Sequence, residues 1–284
     1  MESLKTILSK AQKSDYVIPH FNISSIEQWR GIAEAGKKYS APIIIGMSEN
    51  EANYFGYELA VKCVRYFSEQ YNLPIFISAD HHKSYGICKK ALEAGFDGVH
   101  IDASELEFDE NILLTQKVVA LAKTYKREIS VEGELGRMTE QTVNKEKILA
   151  GQTNSEQVCE YILKTDIDRL AISVGSVHGL EKAKTHLNFS LLDKIQNQLS
   201  TPRVENGGRV CLTLHGGSGV ANEDVKKALK YFSNIHINTE LRKALKNGLE
   251  KAVRLRTIKP YEYLSVAIDE VKKIAEDKIK LFNN

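Results

Sequence analysis

Asp80-His81-His82 closes an apolar run, Ile75-Phe76-Ile77-Ser78-Ala79. Such a run reads as a buried parallel strand, and an α/β protein places its chemistry at the carboxyl ends of such strands. A hydrophobic core has no use for a carboxylate and two imidazoles, because buried ionisable groups cost free energy unless paired or metal-bound. Other apolar runs end in the same way. Asn22 ends Val17 to Phe21, Ser48 ends Pro42 to Met47, Asp102 ends Gly98 to Ile101, and Glu134 ends Ile129 to Gly133. His178 stands shortly after Arg169 to Val174, His215 follows Val210 to Leu214, and Asn238 ends Ile235 to Ile237. His81, His178 and His215 thus come from strand ends three, six and seven, with Glu134 nearby. Three imidazoles and one open position form the pattern of a catalytic zinc, where the open site polarises a substrate oxygen. A solvated loop with two surface histidines is the plain alternative for Asp80-His81-His82, and a hydrogen-bonded structural residue is the plain alternative for any one of the three. Their recurrence at strand ends argues against both.

His215 is followed by Gly216-Gly217-Ser218-Gly219, and a helix opens near Asn222. Glycines let backbone N–H groups approach an anion closely, and a helix N-terminus adds a favourable dipole. A GGSG turn alone is weak evidence of this. Beside a candidate metal histidine it points to a phosphate.

The elements that must carry these residues alternate along the whole chain. Helical spacing is read at Leu4 to Ala11, from Ser24 to Lys38, Gly56 to Gln70, Ser84 to Ala94, Phe108 to Tyr125, Ser155 to Lys164, Ser190 to Gln198 and Asn222 to Tyr231, and again in a long C-terminal region. Between them lie the eight apolar runs. Eight βα units in about 250 residues is the count at which a parallel sheet closes into a (β/α)8 TIM barrel. A doubly wound open sheet is the rival, but no GxGxxG turn follows the first strand. No Pro/Gly/Ser-rich linker divides the chain, so one α/β domain over 1–284, with extra helices at both ends, is expected.

With 42% hydrophobic and 27% charged residues the chain can bury a full core, and a net charge of +2 with interleaved signs offers no nucleic-acid or membrane surface. Cys63, Cys88, Cys159 and Cys211 form no CxxC pair, which fits free thiols in a reducing, cytoplasmic setting. The N-terminal segment lacks the apolar core of a signal peptide.

Six motifs together resemble the class II (metal-dependent) ketose-bisphosphate aldolases. They are Asp80-His81, Ile101-Asp102-Ala103-Ser104, Glu132-Gly133-Glu134-Leu135-Gly136, Gly175-Ser176-Val177-His178-Gly179, Leu214-His215-Gly216-Gly217-Ser218-Gly219 and Asn238-Thr239-Glu240-Leu241-Arg242. The resemblance implies that His81, His178 and His215 hold one catalytic divalent metal, zinc by preference, with Glu134 close to it and room for a monovalent cation. It implies that Asp80 handles the proton on the aldehyde-derived oxygen. Gly179, Lys182, Gly216, Ser218 and Thr239 match positions that hold the ketone-side phosphate, and Asn22 and Ser48 match residues lining the substrate site. It further implies a homodimer or homotetramer.

Three departures bear on the reaction. The loop after Gly136 reads Arg137-Met138-Thr139-Glu140-Gln141-Thr142-Val143 and lacks the family's Gly-Gly segment, with Thr142 where a mobile glutamate is expected. Glu140, or Glu146 on a refolded loop, is left as the proton-abstracting base, and Arg137 to Asn154 is long enough to act as a lid. The last strand carries His236 where the family has a substrate-touching asparagine, with Asn238 two residues on, so both are candidate substrate contacts. His20 and His100 also face inward by strand alternation, as hydrogen-bonded filler or as readers of a different substrate. Finally, Lys259-Pro260-Tyr261 replaces the segment that carries an arginine for a second phosphate.

The activity expected is reversible aldol cleavage of a ketose 1,6-bisphosphate, fructose first, to dihydroxyacetone phosphate and glyceraldehyde 3-phosphate. Tagatose or another ketose 1-phosphate is the alternative, and a catalytically silent metal- and sugar-phosphate-binding barrel is the rival from another class. No lysine is read at a strand end, so no Schiff base is expected.

Overall fold

The computed structural model describes residues 2–14, 16–139, 144–179, 185–200 and 210–283. Glu140 and Lys182, both expected at the site, lie outside the described residues. Eight parallel strands close into a barrel in sequence order, β1 pairing with β8. They are β1 (Ile18–Asn22), β2 (Ile43–Met47), β3 (Ile75–His82), β4 (Gly98–Ile101), β5 (Ser130–Leu135), β6 (Arg169–Ile172), β7 (Cys211–Leu214) and β8 (Asn234–Ile237). The helices are α1 (Leu4–Gln12), α2 (Ile26–Tyr39), α3 (Glu49–Phe55), α4 (Tyr57–Tyr71), α5 (Tyr85–Ala94), α6 (Phe108–Lys123), α7 (Lys145–Ala150), α8 (Val158–Thr165), α9 (Phe189–Leu199), α10 (Asn222–Ala228), α11 (Thr239–Ala252) and α12 (Pro260–Phe282).

The strands form because β-branched runs such as Ile43-Ile44-Ile45 suit a pleated surface buried on both faces. Their outward side chains and the inner faces of the helices build the main core. The N-terminal helix does something different. Capped by Ser3, α1 lays Leu4, Ile7, Leu8 and Ala11 against Ile18, Ile44 and Phe76, and so seals the amino-terminal mouth of the barrel. At the other end of the chain, α12 packs between α2 and α11. A Cβ on Gly248 would lie 2.4 Å from Ala267 Cα, so only glycine permits that approach.

The barrel interior departs from the usual layers of branched aliphatic side chains. Above the apolar floor, the inward positions include His20, Ser78, His100, Glu132, Arg169 and Thr213, all wholly buried.

Two features were not anticipated from sequence. The expected third strand, Ile75 to Ala79, runs on through His82 with a register shift against β4, and His81 takes a left-handed φ of 46°. Strict alternation would send Asp80 and His81 to opposite faces; the irregularity lets both line one cavity. Likewise, the segment expected to be a single lid loop, 137–154, contains α7 and is tied at its base, where Arg137 N–H donates to Gly151 O at 2.8 Å.

Candidate active site

A cavity of about 290 Å³ opens at the carboxyl ends of the strands. Its wall includes Asn22, Ser48, Asp80, His81, Glu134, His178, Gly179, Gly216, Ser218, His236, Asn238 and Thr239. The expected site residues that are described therefore meet there, except His215, which lies just beneath and is fully buried, and the alternative base Glu146, which is exposed on α7.

The histidines are oriented by carboxylates. His81 Nδ1 is 2.8 Å from Asp102 Oδ2, and His215 Nε2 is 2.7 Å from Glu132 Oε1. A carboxylate only accepts, so each of those nitrogens carries a hydrogen, and the opposite nitrogen is the one left for a metal, at His81 once its second proton is lost. The two remaining nitrogens, His81 Nε2 and His215 Nδ1, face each other at 3.0 Å. That gap suits a shared proton or a shared cation. Burial alone would push the His81 imidazolium down, but the charge of Asp80 and the bond to Asp102 raise its pKa to about 9. Burial, and then the charge of His81, bring His178 down to about 3. Its ring stands 4.9 Å from that of His81, and its Nε2 has no hydrogen-bond partner among the described residues. A neutral imidazole with a free nitrogen beside two oriented ones fits a metal-ligand set. The largest gathering of donor atoms among the described residues is Asp80, His81, His100 and His215, within 4.8 Å of one another; His178 is not part of it.

Asp80 Oδ2 accepts from Asn22 Nδ2 at 2.8 Å, while Oδ1 lies 3.2 Å from His236 Nδ1 and 3.7 Å from His215 Nδ1. Burial would raise its pKa, yet the charges of His81 and His236 hold it well below the carboxylate range. Asp80 is thus an anion able to accept a proton. Glu134 differs: burial raises its pKa, and its Oε2 sits 3.2 Å from His100 Nε2 and 3.5 Å from His81 Nδ1.

The inward histidines divide into two kinds. His100 is hydrogen-bonded, its Nδ1 accepting the His81 backbone N–H at 3.1 Å. The ring nitrogens of His20 have no hydrogen-bond partner among the described residues, and the ring stacks on His236 at 3.4 Å, which stacks on His215 at 3.8 Å. Burial lowers the pKa of His20, and brings that of His236 to about 3.

On the opposite wall, Gly216 adopts φ 67° and opens a tight turn, Gly217–Gly219, while Gly179 adopts φ 77°. A Cβ on Gly216 would lie 2.9 Å from Val177 O, so the two loops touch through backbone. Ser218 Oγ accepts the Asn238 N–H at 3.3 Å, and Asn238 leaves the first turn of α11 without a side-chain cap. Those open N–H groups and the glycine loops are suited to an anion.

Three cations on the cavity wall escaped the sequence reading: Lys83, Arg137 and Arg242. Lys83 directly follows β3, which corrects the expectation that no lysine stands at a strand end. It pairs with Glu105 at 3.5 Å and is largely exposed, unlike the desolvated amine that Schiff-base chemistry needs. Arg137 shares Glu105 at 3.1 Å, and Arg242 pairs with Glu51 at 2.6 Å.

Comparison with known proteins agrees with this architecture. A family model described as fructose-bisphosphate aldolase class-II matches residues 2–284. The chain belongs to the class II fructose-bisphosphate aldolase family. Members of this aldolase family are lyases, and the family is metal-dependent. A fructose-bisphosphate aldolase of Staphylococcus epidermidis is 34% identical, covering 99% of this chain and 96% of that protein. A probable fructose-bisphosphate aldolase of Bacillus subtilis is 32% identical, covering 99% and 97%. Among solved structures, the YdjI aldolase of Escherichia coli K12 superposes with a TM-score of 0.82 at 26% identity, covering 99% of this chain and 97% of that one. Within the aldolase frame, the polar layer beneath the site was the part that sequence reasoning missed. Ser130, Glu132 and Glu134 alternate on β5, so all three face inward, and a buried glutamate at 132 calls for a buried cation.

Proposed function

We propose that the chain catalyses the reversible, zinc-dependent aldol cleavage of a ketose 1,6-bisphosphate, fructose 1,6-bisphosphate first, to dihydroxyacetone phosphate and glyceraldehyde 3-phosphate. The observation that carries this reading is the 3.0 Å confrontation of His81 Nε2 and His215 Nδ1 beside the free Nε2 of His178. Bound there, a divalent metal supplies Lewis-acid polarisation of the ketose carbonyl and stabilises negative charge developing on oxygen.

The chain's own residues do the rest. Asp80, held by Asn22, takes the proton from the hydroxyl whose carbon becomes the aldehyde, and returns it in the condensation direction. The N–H groups around Gly179, Gly216 and Ser218 and the start of α11 at Thr239 orient the ketone-side phosphate, with Lys182. Ser48, His236 and Asn238 line the sugar between the two ends. Lys83, Arg137 and Arg242 support a bisphosphate, since they supply cations on the cavity wall without the C-terminal arginine. Glu140 is assigned the carbon-bound proton in preference to Glu146, whose side chain is exposed on the first turn of α7. A tagatose bisphosphate or other ketose phosphate is the alternative substrate, favoured by the imidazole of His236 on the cavity wall.

An assembly of two or four chains and a cytoplasmic location go with this reading. Free Cys63, Cys88, Cys159 and Cys211 support a reducing compartment, and among the described residues no helix is long and apolar enough to cross a membrane. The test is deuterium exchange into dihydroxyacetone phosphate in heavy water, with and without chelator. Exchange that chelator abolishes is expected. No exchange, with zinc and ligand both bound, would move the reading to a barrel that binds sugar phosphate without turnover.

A further inference from the structure

Arg169 is the single lysine or arginine in any strand among the described residues. Its side chain is wholly buried inside the barrel. Nε donates to Ser130 Oγ and Nη2 to Ser78 Oγ, each at 3.0 Å, and Nη1 lies 2.6 Å from Glu132 Oε2. Glu132 is opposite Arg169 in the β5–β6 register and is equally buried. Its second oxygen, Oε1, is the one that meets His215 Nε2 at 2.7 Å.

Stability does not explain this pair. Desolvating a guanidinium and a carboxylate costs several kcal/mol each, and well-packed apolar residues of similar volume serve a core as well or better. What an apolar pair does not supply is an acceptor for His215. With a carboxylate fixed at Nε2, the hydrogen must sit on Nε2, and Nδ1 keeps its lone pair toward His81. Arg169 holds the other oxygen, Oε2, at 2.6 Å; without that hold the carboxylate is free to turn away from Nε2, and the tautomer that points Nδ1 at a metal is no longer enforced.

We propose that Arg169 is a positioning residue for the metal: through Glu132 it fixes the tautomer and orientation of His215. The chain of contacts runs from Ser78 and Ser130 through Arg169 and Glu132 to His215, and no member of it lines the cavity. The inference rests on His215 being a metal ligand, as proposed above.

The experiment measures zinc affinity by chelator competition, with circular dichroism to verify the fold and the visible spectrum of the cobalt-substituted protein as a second readout. Arg169→Met is expected to lose about 10- to 100-fold in zinc affinity, the range for loss of a group that orients a metal-ligating histidine, and to alter the cobalt bands. Arg169→Lys, which keeps the charge, is expected to recover most of that loss. Should Arg169→Met fail to fold, Glu132→Gln/Arg169→Met leaves neither charge unpaired and carries the test, with affinity expected down about 10-fold. Wild-type affinity and cobalt spectrum in the folded variant would overturn the proposal. A His178→Ala control separates the two readings. If it leaves zinc binding unchanged, the metal site itself is wrong and this inference goes with it. If it abolishes binding while Arg169→Met does not weaken it, only the role of Arg169 is refuted.

Discussion

Gly46 lies in β2 with an ordinary strand backbone, so alanine is compatible with its φ and any effect of Gly46→Ala is steric. The added methyl would sit 1.9 Å from His20 Nε2 and 2.5 Å from His20 Cδ2, where no real Cβ is found. The ring has to move by more than 1 Å, roughly the shortfall from van der Waals contact. It has little freedom to do so, because its other face rests on His236 at 3.4 Å, and His236 rests on His215 at 3.8 Å. Overpacking of a closed core costs about 1–3 kcal/mol, and a fully buried stack with a backbone wall behind it belongs at the upper end. At about 2 °C per kcal/mol, the low end of the range because the chain is long, a fall in Tm of about 4–6 °C is expected. The same push reaches His215, so zinc affinity should fall as well, by about tenfold for each 1.4 kcal/mol passed on. Thermal denaturation and chelator competition on the same preparation give both numbers. His20→Ala/Gly46→Ala, which removes the obstructing ring, should recover much of the Tm, a non-additivity expected only of residues in contact. A Gly46→Ala protein with unchanged Tm and zinc affinity would refute the idea that the three imidazoles form a rigid column under the metal.

Other outcomes follow from the same geometry. His178→Ala should keep its fold and lose zinc binding and aldol cleavage without rescue by added metal; full activity would remove His178 from the ligand set. Zinc loading at pH 7.5 should release about one proton, since His81 titrates near 9 in the metal-free chain and its Nε2 must be bare to bind; calorimetry in buffers of different ionisation enthalpy reads it, and zero release would contradict the assignment. The same raised pKa stabilises the metal-free fold fully below the ordinary value of 6.5 and loses that contribution as pH rises through about 9, so Tm after chelation should fall across that window more steeply than with zinc bound. Arg137→Met should raise KM for the bisphosphate several-fold while leaving a ketose 1-phosphate unaffected; equal effects on both would detach Arg137 from the second phosphate.

The barrel was legible because each strand is an apolar run and each helix shows its own period, and both signals are local. The gathering of His81, His178 and His215 at one end of the barrel was legible for a related reason, since they stand at or shortly after the points where apolar runs stop. What escaped depends on contacts between distant parts of the chain. Arg169 opens an apolar run, Arg169-Leu170-Ala171-Ile172, and in sequence it looks like a charged residue flanking a strand. Only barrel closure sets it against Glu132 and Ser78. Asp80 and His81 were expected in one site, but the left-handed turn at His81 that lets both line one cavity was hidden, because no glycine announces it. Lys83 was overlooked because β3 ends three residues later than its apolar run. The short helices α3 and α7 carry few buried residues and so give little periodic signal.

The polar layer inside the barrel also constrains how such a chain reaches its native state. The first four strands carry Ser78, His81 and His100, while Glu132, Glu134 and Arg169, which answer them, arrive with β5 and β6. A half-barrel of β1–β4 would therefore expose imidazoles and hydroxyls on its concave face, with the partners that satisfy them still to come. Such a half cannot gain much by closing early. The reward is deferred to the docking of the two halves, through contacts such as Arg169 to Ser78, 91 residues apart, and His215 to His81, 134 apart, and contacts that distant slow the search. Synthesis from the N-terminus would present that unfinished face first, so the molecule is built to fold as a whole rather than by halves.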